Sequence, residues 1–204
     1  MALANYTDLQ ASIAAWLHRT DLTSVIPDFV ALAEARIARD LRIKSMVTET
    51  TLTTVAGTQS VALPTGWLEF ENVTVSGSPD RNLNYVPVQH LNEKFPSNDY
   101  SGQPVVYSIE GDNILFGPVP DTAYSVDVLY YKRFDPLSTT ATNWLLTNHP
   151  NIYLFAALAE AAPYVADDER VGIWEQKYSS DVARLQQVDD QGQNSGSVLR
   201  VRVN

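Results

Sequence analysis

The sequence predicts an α+β fold: an α-helical bundle formed by N- and C-terminal helices, with a β-rich insert between them and an extended C-terminal arm. Three observations carry this. Apolar residues recur at helical spacing from Asn5 to Lys44 and again after Pro150. Between them, Met46 to Lys132 is rich in Val, Thr and aromatic residues and is broken by Gly- and Pro-bearing turns. After Gln191 a polar Gly/Ser stretch leads into an alternation of apolar and basic residues. The expected organisation is therefore 1–45 and 136–190 as the two halves of the bundle, 46–135 as the insert and 191–204 as the arm.

The first helix is expected over Asn5–His18. Tyr6, Leu9, Ile13, Trp16 and Leu17 form its apolar stripe, with Asn5 or Thr7 as cap. A second is expected from Ser24 to Lys44, capped by Thr23 or Ser24. Pro27 falls in its first turn, where a missing N–H costs no helical bond. Ile26, Phe29, Val30, Ala33, Ile37 and Leu41 make its buried face. Arg36, Arg39, Arg42 and Lys44 gather toward its C-terminus, at the negative end of the helix dipole, where a solvated basic face is the plain reading.

Strands are expected over Met46–Leu52, Ser60–Leu63 and Trp67–Val75, with turns at Gly57, Pro64–Gly66 and Gly77–Asp80. Val88, Leu91 and Phe95 suggest a short helix within Pro87–Phe95. Pro104–Glu110 and Asn113–Phe116, joined by Gly111-Asp112, read as a tight hairpin. In Ala123–Lys132, Tyr124, Val126, Val128 and Tyr130 alternate with more exposed positions, as in a half-buried strand.

Helix returns at Pro150, with Ile152, Phe155, Leu158, Ala159 and Ala162 apolar; Pro163 should end or kink it. Asp167 and Asp168 favour a new helix start. Val171, Trp174, Tyr178, Val182, Leu185 and Val188 then trace one stripe. Gln191–Ser197 reads as a flexible linker.

Composition narrows the function. The chain has 204 residues, no cysteine and a net charge of −10. Disulfide and thiolate chemistry are excluded, and broad phosphate neutralisation on DNA is disfavoured. No run approaches the roughly 20 apolar residues of a membrane span, so no membrane partner is expected. The N-terminus lacks the basic and apolar regions of a signal peptide, so the expectation is an intracellular product.

Catalytic sets are missing. His18, His90 and His149 are dispersed, and no zinc, calcium, phosphate-loop or nucleophile-elbow motif is present. No cofactor and no metal is expected. The acidic run Asp167-Asp168-Glu169 is explained by helix capping, and Glu69 with Glu71 by an exposed strand face. Tyr130, Tyr131 and Phe134 beside Lys132 and Arg133 could stack bases. Tyr, Trp and Arg are equally the residues of subunit contacts, and Arg36, Arg39, Trp174 and Tyr178 are candidates for one.

Several ordered strings carry a resemblance. They include Tyr6-Thr7-Asp8-Leu9, Ile26-Pro27-Asp28-Phe29 through Arg36-Ile37, and Leu63-Pro64-Thr65-Gly66-Trp67. Gly117-Pro118-Val119-Pro120-Asp121, Asn143-Trp144-Leu145-Leu146, Tyr153–Leu158 and Asp167-Asp168-Glu169-Arg170 with Trp174 and Tyr178 follow. Taken together the chain resembles the head-to-tail adaptor (connector) proteins of short-tailed bacteriophages, over nearly its whole length. The resemblance implies a virion protein without enzymatic activity. It implies a twelve-fold ring below the portal protein, a downstream tail or nozzle protein as second partner, and genomic DNA passing through without sequence-specific binding. It also implies a C-terminal arm that docks on the portal. The residues support such an arm independently: Val198, Arg200 and Arg202 fall on one side of a strand, and Leu199, Val201 and Val203 on the other, suited to adding to a sheet edge. Two other readings remain: a different tail or head-closure ring subunit, and a carbohydrate-binding module using Trp67, Tyr85 or Tyr107 as stacking platforms.

Overall fold

Seven α-helices and two four-stranded sheets make up the described residues, 3–96, 100–165 and 168–194, of the computed structural model. They fall into two units. One comprises the residues before Met46 together with those from Phe134 onward; the other is Met46–Arg133.

The first unit is helical. Helix α1 spans Tyr6–Leu17, and the Asn5 side chain caps it by accepting from the Asp8 N–H. It buries Leu9, Ile13 and Leu17, and stops where His18 turns left-handed at φ 53°. Helix α2 runs over Ile26–Asp40. No side chain caps it: neither Thr23 nor Ser24 serves, and the N–H groups of Val25 and Ile26 instead bond the Leu22 carbonyl. It also ends four residues before the expected Lys44. Leu41 is extended, and both Leu41 and Ile43 are fully buried. Positions two apart share one side of an extended chain but lie on nearly opposite faces of a helix, so burying both requires the helix to stop. Arg42 covers the exposed end by donating to the carbonyls of Ala38 and Leu41.

Short helices α4 (Leu137–Thr140) and α5 (Trp144–Asn148) follow the insert. Asn143 caps α5, its amide oxygen accepting from the Leu146 N–H while its amide nitrogen donates to the Tyr153 hydroxyl. Helix α6 (Pro150–Val165) is apolar almost all round, burying Ile152, Tyr153, Leu154, Ala156, Ala157, Leu158, Ala161 and Ala162. Such a helix belongs at the centre, and α1, α2, α5 and the long last helix, α7 (Asp168–Asn194), all pack on it. Pro163 does not stop it. The helix carries on to Val165, only two residues further, so the missing donor is felt in the last turn alone. Helix α7 spans Asp168–Asn194 and buries Trp174, Tyr178 and Val182. Gln191 to Asn194, expected as linker, continue the helix. Gln is a good helix former, and Gly192 lowers helix stability by only about 1 kcal/mol relative to Ala.

The second unit is built of two sheets. Strands β1 (Val47–Thr53), β3 (Trp67–Val75), β4 (Arg81–Asn82) and β8 (Ser125–Lys132) form one, in the order β1-β8-β3-β4. Strands β2 (Ser60–Ala62), β5 (Asn84–Tyr85), β6 (Val106–Glu110) and β7 (Asn113–Gly117) form the other, in the order β2-β7-β6-β5. β1 lies antiparallel to β8 in unbroken register from Val47 opposite Tyr131 to Thr53 opposite Ser125. The alternation expected in β8 holds: Val126, Val128 and Tyr130 enter a shared core with Val73, Val75, Tyr107, Ile114 and Phe116. The hairpin at Gly111-Asp112 also forms, with Gly111 at φ 57°.

The second sheet is covered on both faces. Ile114 and Phe116 face the core, while Leu115 and Val106 face helix α3 (Val88–Lys94) through Leu91. Double coverage explains the uninterrupted apolar run Ile114-Leu115-Phe116. The last position of β7 suits glycine, because a Cβ at Gly117 would stand 2.7 Å from the Phe95 ring.

Candidate assembly interface

Arg36 is the polar centre of the helical unit. It leaves α2 between α6 and α7, pairs with Glu175, and lies 3.5 Å from both Glu160 and Asp40. Its guanidinium stacks over the Tyr178 ring, 4.3 Å from the centroid. Tyr178 in turn donates to Asp40, and Gln186 donates to the Asp40 carbonyl. The guanidinium is held still more firmly protonated by the bond to Glu175, while burial and the bond to Asp40 push the Tyr178 hydroxyl well above its ordinary range. Each group therefore keeps its usual charge state, as suits a clamp between helices.

Among the four residues expected at a subunit contact, Arg36, Trp174 and Tyr178 are thus engaged within the chain. Trp174 is buried on α7 under the Arg170 guanidinium, 5.3 Å from its ring centroid. Arg39 is exposed. The basic cluster of α2 is not one solvated face, since Arg36 turns inward. The expected arm residues, Val198, Leu199, Arg200, Val201, Arg202 and Val203, lie outside the described residues.

Apolar surface is open in two other places on this unit. A groove of about 420 Å³ is lined by Ala15, Trp16 and His18 at the end of α1 and by Arg170, Ile173 and Trp174 at the start of α7. Trp16 and Ile173 are 42% and 54% exposed there. A larger groove, about 580 Å³, follows the last turns of α7. Leu185 and Val188 form one wall; Ile43, Trp144, His149 and Ile152 form the other. Sequence periodicity placed Trp16 and Val188 on buried stripes. Trp16 meets Phe155 of α6 with one edge only and Val188 lies near the end of α7, a difference that periodicity alone does not show.

The residues weighed for chemistry are apart. His18 caps α1, His149 ends α5 with its ring 5.5 Å from that of Trp144, and His90 lies exposed on α3. Among the described residues no cluster of His, Asp or Glu could hold a metal ion, and no helix is long and apolar enough to cross a membrane. Glu69 and Glu71 are exposed on β3. Of the aromatics considered as sugar platforms, Tyr107 is packed edge-on between Phe70 and Tyr85, and Trp67 lies against Phe70. Only Tyr85 of the three is openly exposed.

Among the described residues, then, the helical unit opens apolar grooves beside α1 and along α7, and the β unit has a filled core. No curated protein sequence matches the chain. The sequence model of the SU10 adaptor proteins matches residues 4–202, so it takes in both units. The chain belongs to the SU10 adaptor protein family, structural adaptor proteins of the phage head–tail junction.

Proposed function

We propose that this chain is one subunit of a ring that sits below the portal of a short-tailed phage, joins the head to the tail and prolongs the channel for the genome. The observation that carries this is the family match over residues 4–202. In this reading the helices before Met46 and after Pro136 act as one bundle carrying the insert, and twelve copies match the portal. The arm, Val198–Val203, docks on a portal subunit by strand addition. A tail or nozzle protein binds the opposite end of the ring, and assembly takes place in the host cytoplasm before the particle is complete.

Physical features support the reading. A ring needs a head-to-tail lateral contact, in which two different patches of one subunit meet their complements on two neighbours. The Trp16/Ile173 and Trp144/Val188 grooves are two such patches, and Arg39 is an exposed cation of the same helical unit. We keep Arg36, Trp174 and Tyr178 in the contact as the frame that stiffens it from behind. The net charge of −10 suits a channel past which DNA slides without adhering. Arms repeated around a ring give avidity that one strand, whose hydrogen bonds contribute only about 1 kcal/mol each, lacks.

The test is to mix the purified protein with a matching portal ring and image the product, alongside a chain ending at Gly196. A ring stacked on the portal that is lost with the last residues is the expected result. Absence of any complex at high concentration would move the protein to another ring of the neck or tail.

A further inference from the structure

The groove beside the last turns of α7 keeps apolar surface open: Val188 is 65% exposed and Trp144 41%. We propose that this groove is the seat of the chain's own segment Val198–Val203, folded back along α7 in the free, unassembled protein. The proposal concerns the subunit alone and holds whatever that segment binds later.

Position comes first. Gly192 lines the groove and α7 ends at Asn194. Ser195-Gly196-Ser197 then precede the segment, and these are residue types that reverse a chain at little steric cost. Length agrees as well. The α7 residues of the groove run from Asp181 to Gly192, about 16 Å at the helical rise. Six extended residues span about 20 Å, so the segment covers the groove and little else.

The pattern of the segment matches the groove. Leu199, Val201 and Val203 fall on one side of an extended chain, suited to lie between the Leu185/Val188 wall and the Ile43/Ile152 wall. Arg200 and Arg202 fall on the other side, away from the apolar walls; the groove's charges, Asp181 and Asp189 with Lys44 and Arg184, balance, so the fit is an apolar one. A second copy could offer the same segment. The tether decides between them, because a link of three residues sets a local concentration in the millimolar range, above that of free subunits at working dilution. It follows that the seat must be vacated before the segment can reach any partner.

The absence of cysteine makes the test clean. Val188→Cys is combined with Leu199→Cys in the full chain, and compared with Gln187→Cys combined with Leu199→Cys. Gln187 is exposed at nearly the same height on α7 but is not among the groove residues. Under mild oxidation at low protein concentration the Val188 pair should close within one chain about tenfold faster than the Gln187 pair. Equal rates would mean an unseated tail, and disulfides chiefly between two chains would mean a second copy; either overturns the proposal. Hydrogen exchange on the cysteine-free protein gives an independent reading. The amides of residues 199–203 should exchange at least about fivefold more slowly than in Val188→Asp. Exchange as fast in the native chain as in the variant would overturn it too.

Discussion

The Tyr178 hydroxyl donates to the Asp40 carboxylate across 2.9 Å, tying α7 to the end of α2 over a sequence separation of 138 residues. Tyr178→Phe keeps the ring under Arg36 and removes only that bond. It should cost about 1 kcal/mol. Arg36→Ala removes the stacking and the pairs to Glu175 and Glu160 together, and should cost more, about 1–3 kcal/mol. Arg36→Lys should recover only part of this, since an ammonium cannot stack and bridge as a planar fork does. Urea unfolding followed by circular dichroism measures all three.

Helix α6 meets its neighbours through small side chains, and Ala157 is fully buried. Ala157→Leu inserts three carbons where no space is open. A loss of about 1–3 kcal/mol is expected from the overpacking, seen as a lower thermal midpoint.

In the β unit, a Cβ at Gly117 would meet the Phe95 ring at 2.7 Å and a Val106 methyl at 3.1 Å. Gly117→Ala should destabilise this unit by about 1–2 kcal/mol. Trimming the ring with Phe95→Ala should make the same glycine substitution cheaper. A double-mutant cycle that shows strict additivity would contradict the contact.

Asp127 accepts from the Thr51 hydroxyl at 2.6 Å and from the Ser76 hydroxyl at 2.8 Å. These bonds, Thr51 foremost, hold its carboxyl below the ordinary aspartate value. A depressed folded value means that the contribution is complete above the unfolded value, near 3.9, and is lost as pH falls through the folded one. Thr51→Val should therefore raise the Asp127 pKa measured by NMR and reduce the acid sensitivity of the β unit below about pH 4.

Ring formation offers a further check on the proposed lateral contact. Ile173 is 54% exposed, so Ile173→Asp should leave monomer stability within about 0.5 kcal/mol. The same change should prevent stacked rings on the portal, as seen by electron microscopy.

Much of this architecture is legible in the sequence, and the failures have particular causes. The bounds of β3, and nearly those of β8, follow from the sequence, because Val and aromatic residues in a half-buried strand leave few alternatives. Asn5 as the cap of α1 is likewise a local matter. The end of α2 is not: Leu41 fits the helical stripe, and only the joint burial of Leu41 and Ile43 rules a helix out. β4 and β5 are two residues long, and α4 and α5 four and five, too short to show any period. The Arg36 clamp leaves no sequence signal, because its partners, Glu160 and Glu175, are far off in sequence and look like ordinary surface acids. The open grooves leave none either, because an apolar residue at helical spacing has the same pattern whether its stripe is covered or not.

The unbroken pairing of β1 with β8 also sets how the β unit bears load. The chain comes in at the start of β1 and goes out at the end of β8, and Val47 faces Tyr131 across the ladder. Both attachment points therefore lie at one end of a single antiparallel pair. Tension between them peels the two strands apart rung by rung instead of shearing all the hydrogen bonds at once. The unit yields easily to a pull through its own attachments. A single-molecule experiment pulling from Met46 and Arg133 should record opening at lower force than one pulling from Met46 and Ser125, at opposite ends of the same ladder.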